Sequence, residues 1–574
     1  VNAALLLASL LAVAAPPKKA AEYEAFQTVA LRAWNRYVDF GRRRTPGEVF
    51  LPLNMFRART LRYDNERGAF VDAATGAPLT AEETRRRYSE ENPPTKSYLT
   101  AGIELSLTLG AYSAWYIYDG FRAPSDWEFP ATFNGFYRRN VALEGVRLDN
   151  NHPRYNSPGH PLAGAFYFGI GRVNGLSSLE SVAMATLASG YWEAIAEMRE
   201  VMSINDMVTT PFGGAPIAEA VHQVGQYCLR AEVTAATVGC MALFGGASWL
   251  HTPITRDRYA PTLDVDRWGF PRDQWHLFRA GSLGGARVAS SVGRGQAQVD
   301  FHAEAEVIPV TGFRVSDAPV NKLYLDTAAT HLVLRGSTGA QIPSVLVDYV
   351  QFYAKTVWAA ALWQRQMRNP DGTFTGMSAM VGPSSMFEHW EKDITEFWQY
   401  DGRNDFISTT GVLGLTGDLA LNIRGMSLRL VADLHPTMTS ARSLAWERYV
   451  ALHGDTGTKS SLRRHRYTWS LGVSSQLRAV LTLTRLELGS VVKLDGFRSI
   501  NVRDQEYEKI TGNDPVAYDG RTWTQAWIGL KLPYPVENLR LVAMGEFITR
   551  TSRLRDAVET RMDARATAGV WVEF

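Results

Sequence analysis

The last fourteen residues constrain the fold more than any other stretch. Every second residue from Met562 is apolar: Met562, Ala564, Ala566, Ala568, Val570, Val572 and Phe574. Between them lie Arg561, Asp563, Arg565, Thr567, Gly569, Trp571 and Glu573, which are mostly polar. An extended chain has a side-chain period of two, so one face of this strand is apolar and the other is wet. Two architectures use such a strand. A β-sandwich buries the apolar face between layers, whereas a membrane barrel turns it to lipid and keeps a polar lumen.

The same alternation recurs upstream. Ala297, Val299, Phe301, Ala303, Ala305 and Val307 alternate with Gln298, Asp300, His302, Glu304 and Glu306. Leu413–Arg424 and Met426–His435 repeat the pattern, as do Tyr467–Val473 and Ala526–Leu532. Many such segments ending in a closing strand favour the barrel. Their turns hold Gly, Asp, Asn and Pro, as in Asn369-Pro370-Asp371-Gly372 and Asn513-Asp514-Pro515. At roughly 20–25 residues per strand and loop, this half of the chain holds about twelve strands, and an even number is expected. The terminal Phe574 resembles the C-terminal signal read by the barrel-assembly machinery, which makes that machinery, with outer-membrane lipid, an expected partner.

Composition does not expose a barrel, because half of each strand is polar. Of 574 residues, 45% are hydrophobic and 21% charged, an ordinary balance. The net charge is +2, and no basic stripe extends beyond Arg85–Arg87, which argues against a nucleic-acid partner. Residues 1–15 read as a signal-peptide core with a small-residue cleavage site at Ala12-Val13-Ala14, although no basic segment precedes it. Ala101–Tyr118 carries Glu104 and reads as a packed helix rather than a membrane span. Cys228 and Cys240 fall in one apolar helical stretch. On a straight helix they stand roughly 18 Å apart, too far to bridge, and read as small core residues.

The first half is helical. Residues 20–42 and 97–118 read as helices, and Leu61–Val71 as a hairpin. Thr80-x-x-Glu83 and Ser177-x-x-Glu180 are capping boxes. Ser203-x-x-Asp206 reads as a further cap, and Thr210-Pro211 as a first helical turn. Five to seven helices are expected before residue 255.

Candidate chemistry lies between Asp149 and Gln226. Its skeleton is Asn156-x-x-x-His160-Pro161-x-x-Gly164, Arg172-x-x-Gly175, Ser181, Trp192-Glu193-x-x-x-Glu197, Ser203-x-x-Asp206, Thr210-Pro211, Gly213-Gly214 and Glu219. This pattern resembles an uncharacterised family of bacterial envelope domains, over roughly residues 100–230. That resemblance implies no activity, and Ala218-Glu219 stands where a Gly-Glu pair is expected. A more distant similarity is to the VanZ-like helical envelope proteins.

On the helix opened by Ser177, residues Ser181, Ala185, Ser189, Glu193 and Glu197 recur every fourth position. One helix face is therefore small at one end and acidic at the other. Buried carboxylates need partners, and His160, Arg172, Asn156 and Ser203 are the expected suppliers. The structural reading is a polar network that locks the helices together. The catalytic reading makes Glu193 or Glu197 an acid or base with His160, aided by Asp206. Glu219-x-x-His222 is half of a carboxylate metal motif without its second half, so no metal is expected there, and no cofactor. Gly213-Gly214 lacks the lysine of a phosphate loop and reads as close backbone packing.

The expected fold is α+β: a signal peptide at 1–15, a helical domain at 20–285 and an antiparallel transmembrane β-barrel of about twelve strands at 286–574. The expected location is the outer membrane of a Gram-negative bacterium, with the helical domain in the periplasm or the barrel mouth. The leading expectation is a non-enzymatic structural or interaction component. The alternatives are an envelope enzyme acting on lipid or glycan, and a pore.

Overall fold

The computed structural model describes residues 61–64, 69–72, 75–80, 83, 96–120, 129–144, 146–231, 234–245, 265–289, 295–339, 349–394, 404–454, 460–500, 514–534 and 536–574. The expected signal segment, the helix at 20–42 and Arg85–Arg87 lie outside them. The chain forms two compact units, residues 1–96 with 225–271 and residues 97–224 with 272–574.

Eight α-helices are described: α1 Tyr98–Gly120, α2 Phe133–Asn140, α3 His160–Val173, α4 Ser178–Tyr191, α5 Ile204–Leu229, α6 Ala235–Cys240, α7 Trp446–His453 and α8 Ser461–His465. In the first unit, Leu61–Asp64 pairs antiparallel with Ala69–Asp72, the hairpin that Asn65-Glu66-Arg67-Gly68 predicts. The cysteine expectation needs correction. Cys228 and Cys240 are disulfide-bonded, with Cα atoms 5.8 Å apart. The helix does not run straight through them: α5 stops at Leu229, and Thr234 caps a new helix from Ala235.

The barrel is built from β1 Trp275–Ala289, β2 Gly295–Ile308, β3 Val320–Tyr324, β4 Ala329–Gly339, β5 Tyr349–Val357, β6 Ala360–Arg368, β7 Phe374–Lys392, β8 Asp405–Ile423, β9 Met426–Arg442, β10 Tyr467–Leu483, β11 Leu486–Ser499, β12 Ala517–Lys531, β13 Leu539–Leu554 and β14 Ala557–Glu573. These fourteen strands make one sheet. Two staves are each built of two strands in succession, β3 with β4 and β5 with β6, so the wall has twelve antiparallel staves. Pairing of β14 with β1 and of β7 with β8 closes the ring, while the short β3 pairs only with β6. The first stave starts at Trp275 and already contains the expected boundary at residue 286, which Gly281, Gly284 and Gly285 obscure in the sequence.

The alternation decides the two faces. Charged residues from every second position fill the lumen and pair across it. Arg335 meets Glu546 at 2.6 Å, Arg279 meets Glu487 at 2.6 Å, and Lys493 meets Glu388 at 2.5 Å. Lys355 and Asp433 are 2.8 Å apart, and Arg314 and Asp418 2.7 Å. Trp390, Trp523, Trp527 and Trp571 fill the space between these pairs. A lumen cavity of about 60 Å³, room for a few waters, is lined by Arg279, His302, Glu304, Arg335 and Trp571. Outward residues such as Phe301, Leu494, Phe547 and Met562 are apolar and about half exposed.

On β3 to β8 the outer face changes character partway up. The interruptions Leu325–Ala328 and Trp358–Ala359, the shift between Ser384 and Met386 and the bulge between Gly411 and Leu415 are brought to one level by strand pairing. On the short-turn side of that level, Leu323, Val381, Leu413 and Leu415 are exposed and apolar. On the other side, the outward residues Thr356, Ser385, His389, Glu391, Ser408 and Thr410 are polar and buried.

Candidate functional site

Helix α5 and the segment of residues 148–157 that leads into α3 contact that polar patch. Thr356 Oγ1 donates to the Pro216 carbonyl, and Thr327 Oγ1 to Glu219 at 2.7 Å. Ser157 and Ser440 hydroxyls share a 2.7 Å hydrogen bond, and Arg154 pairs with Glu391 at 2.8 Å. Phe406, Met438, Tyr467 and Trp469 form an apolar cluster with Leu148 from the helical side. These wall residues point away from the lumen. These helical-side residues therefore meet outward-facing residues of the wall. The signal was present in the sequence as Tyr467 and Trp469 on the apolar face of β10.

Small residues set the helix packing. A Cβ at Gly164 would overlap the Thr210 carbonyl, one at Gly214 the backbone of Gly164 and Ala165, and one at Gly171 the side chain of Ser181. The close packing expected of Gly213-Gly214 is thus realised between α3 and α5. Ser177 caps α4 through a complete capping box with Glu180. From there Ser181, Ala185, Ser189 and Glu193 are all buried along one face. Arg172 does not serve this face. It binds Glu219 through Nε at 2.8 Å and Nη2 at 3.1 Å, and Gln223 and Thr327 complete the coordination of that carboxylate. Glu219 is therefore saturated, and Glu219-x-x-His222 has no free carboxylate oxygen for a metal.

The four candidates His160, Glu193, Glu197 and Asp206 do converge, and they gather a fifth, Asp149. His160 Nε2 is 3.3 Å from Asp206 Oδ1. Asn205 Nδ2 donates to the same Asp206 oxygen at 2.7 Å, and the Asp149 N–H donates to Asn205 Oδ1 at 2.6 Å. Asp206 thus turns its carboxylate inward to His160 as well as standing in the first turn of α5. Glu193 accepts from the Ser203 N–H at 2.7 Å, and Glu197 from Trp192 Nε1 at 2.7 Å. The loop carrying Asp149 is held by the barrel: Trp469 Nε1 donates to the Asp149 carbonyl at 2.9 Å, and Tyr467 Oη to the Asn151 carbonyl at 2.9 Å. Asn156 Nδ2 donates to Tyr467 Oη at 3.0 Å, and the same side chain favours the ionised form of Asp149, so Asn156 links the dock to the carboxylates.

Burial dominates the electrostatics. It pushes the Glu193 and Asp206 carboxyls well above their usual range, helped by repulsion from Glu197 at Glu193 and from Asp149 at Asp206. Glu197 is raised by burial and by Glu200, and Asp149 by burial. Burial lowers His160 to about 4, against the pull of Asp149, so the imidazole is neutral at pH 7. Among the described residues, no arginine or lysine forms a salt bridge with Asp149, Glu193, Glu197 or Asp206. Asp149 Oδ2 and Glu193 Oε1 are buried without a hydrogen-bond partner among the described residues. A cleft of about 10 Å³, room for one water, is lined by Asp149, Glu197, Ser203 and Asp206.

The barrel holds a serine–histidine pair that the sequence reading missed. Ser384 and His435 stand on the staves either side of β8 and meet at 3.0 Å across its bulge. Thr416 Oγ1 donates to Ser384, and the group is buried in the wall. His302 has no serine. It stacks on Trp571 with centroids 5.2 Å apart, as part of the lumen packing.

Among solved structures, the chain is similar to the translocator domain of the autotransporter NalP from Neisseria meningitidis. That match has 10% identity, covers 52% of this chain and 88% of that one, and has a TM-score of 0.17. It is similar to the outer-membrane protease OmpT from Escherichia coli at 11% identity, covering 54% and 99%, with a TM-score of 0.15. For OccK2 from Pseudomonas aeruginosa the values are 6%, 53%, 98% and 0.16. At such scores the architecture rests on the strand pairing alone. No curated protein matches the chain. Residues 145–245, which hold the converging His160, Glu193, Glu197 and Asp206, match the model of a domain of unknown function, DUF3943.

Proposed function

We propose that this chain is an outer-membrane protein in which a closed, non-conducting barrel carries a helical module on its outer wall, beside the lipid. The observation that carries this reading is the buried polar patch directly above the exposed apolar residues of the same staves. A wall facing only lipid would have no use for Glu391, His389 and Ser408 on its outside, because unpaired polar groups are costly there. The module's own surface supports the same placement. Leu99, Ile103 and Leu107 recur every fourth residue along α1, with Leu99 76% and Leu107 70% exposed. No described helix is long and apolar enough to cross a membrane, so the module rests against the lipid and the staves do the crossing. Its partners are outer-membrane lipid and, during biogenesis, the barrel-assembly machinery.

The paired lumen argues against a pore. Purified full-length chain in planar bilayers should give no stepwise conductance, and a steady channel of porin size would overturn the closed-barrel reading. Nitroxide labels at position 99 or 107 should be relaxed by membrane-dissolved oxygen more than by a water-soluble nickel chelate. The reverse order would place the module away from lipid.

The buried His160 cluster favours a second reading, an envelope enzyme acting on lipid or glycan. The specific observation is that Glu193 Oε1 and Asp149 Oδ2 lack partners, whereas a purely structural network satisfies its polar atoms. Glu193→Gln separates the two readings: lost stability or assembly supports the structural role, and intact folding with a lost envelope phenotype supports catalysis.

A further inference from the structure

We infer that Asp149, His160 and Asp206 form a binding site for one divalent transition-metal ion, of the Mn²⁺ or Zn²⁺ class. One donor atom from each residue lies within 4.8 Å of the others. His160 Nε2 and Asp206 Oδ1, at 3.3 Å, already have the separation of two ligands on one ion. Donors about 2.1 Å from a metal stand roughly 3.0–3.4 Å apart along a tetrahedral or octahedral edge. Two carboxylates with one imidazole is a mixed oxygen and nitrogen set, which suits these cations better than Ca²⁺ or Mg²⁺.

A second observation points to the same ligand. Asp149 is 6% exposed, and its Oδ2 accepts no hydrogen bond from any described residue, while Oδ1 is held by the Asn151 N–H at 2.9 Å. The carboxylate is thus oriented by one oxygen and leaves the other vacant. Asn205 Nδ2 donates to Asp206 Oδ1, the oxygen that faces His160, and so fixes the direction of that carboxylate, the outer-shell hydrogen bonding found around metal ligands. The cleft beside Asp149 and Asp206 leaves room for one water on the ion's open side.

The barrel supplies an internal contrast. Glu304, Glu306 and His331 are equally close together in the lumen. There the charge is already matched: Arg478 reaches Glu304 at 2.8 Å, Arg429 pairs with Glu306, and His331 meets Glu304 at 2.9 Å. Among the described residues no arginine forms an ion pair with the helical trio, and Arg147, which lines the same cleft, is a lesser influence on Asp149 than burial. This inference is independent of whether the module is structural or catalytic.

The test uses full-length protein in detergent, stripped with EDTA and titrated with Mn²⁺ or Zn²⁺ by calorimetry. Pulsed EPR of the Mn²⁺-loaded protein reports on bound nitrogen. We expect one saturable ion, an imidazole nitrogen coupled to Mn²⁺, and at least a tenfold loss of affinity in Asp149→Asn and His160→Gln. His331→Gln should bind as the wild type does. Folding of each variant is checked by protease resistance. Should the Asp149 and His160 variants misfold, the wild type decides together with His331→Gln: retained nitrogen coupling in both supports the site. No saturable binding, no nitrogen coupling, or loss of binding in His331→Gln alone would overturn it.

Discussion

Replacing Arg172 by methionine tests how the helical module is held. Arg172 gives Glu219 two hydrogen bonds, at 2.8 and 3.1 Å, and a third to the Leu176 carbonyl at 2.7 Å. Glu219 is fully buried. Methionine keeps the apolar stem but leaves a buried carboxylate with only Gln223 and Thr327. Breaking a buried pair in this way costs about 3–5 kcal/mol. Removing the charge as well, in Arg172→Met with Glu219→Leu, should restore most of it, because a buried ion pair and an apolar pair of similar volume are often close in stability. The assay is native-state proteolysis of residues 97–224 on the detergent-solubilised chain, where cleavage tracks the population of the opened form. At about 1.4 kcal/mol per tenfold, the single variant should be cut roughly 10²–10⁴ times faster. The double variant should return to within about tenfold of the wild type. A single variant within threefold of the wild type, or a double variant as labile as the single, would refute the claim that this pair organises the module.

Three further outcomes follow from the same geometry. Trp469→Phe removes the indole donor to the buried Asp149 carbonyl, should weaken docking by about 1–3 kcal/mol, and should speed proteolysis near Asp149 while leaving the barrel intact. His465 on α8 is held near 4 by burial and by the neighbouring His152 and Arg464. Its folded pKa lies below the unfolded value of about 6.5, so its share of stability is full above that pH and lost as pH falls towards 4; protease protection at the α8 contact with the module should fall over that window. Reducing the Cys228–Cys240 bond opens a twelve-residue separation and should destabilise that unit by about 3 kcal/mol, read as faster cleavage between residues 225 and 245.

The barrel was legible because its signal is periodic and local. Asp300, His302, Glu304 and Glu306 face the lumen as the period of two requires, and the terminal strand closes the ring with Trp275–Ala289. The convergence of His160 with Glu193, Glu197 and Asp206 was also legible, because His160 and Asp206 open α3 and α5 and the other two follow α4 closely. The expected helix face does not reach Glu197, since α4 ends at Tyr191 and a π turn, Trp192–Ala196, carries Glu193. Asp149 was missed as a member: it stands in a loop, and the contacts that place it, with Asn205 and with Trp469 and Tyr467 more than 300 residues away, are remote in sequence. The outer-wall dock was missed for a related reason. Tyr467 and Trp469 satisfy the apolar period whether lipid or helix covers them, and only the polar neighbours Ser408, Ser440 and Glu391 distinguish the two. The disulfide was hidden by a break in the helix after Leu229, which no glycine or proline announces.

The position of the dock along the chain imposes an order on biogenesis. Asn156 meets Tyr467 across 311 residues of sequence, so the surface that receives the helices does not exist when they are synthesised. Such remote pairing is slow, and in the interval Leu148 is without its partners Phe406, Met438, Tyr467 and Trp469.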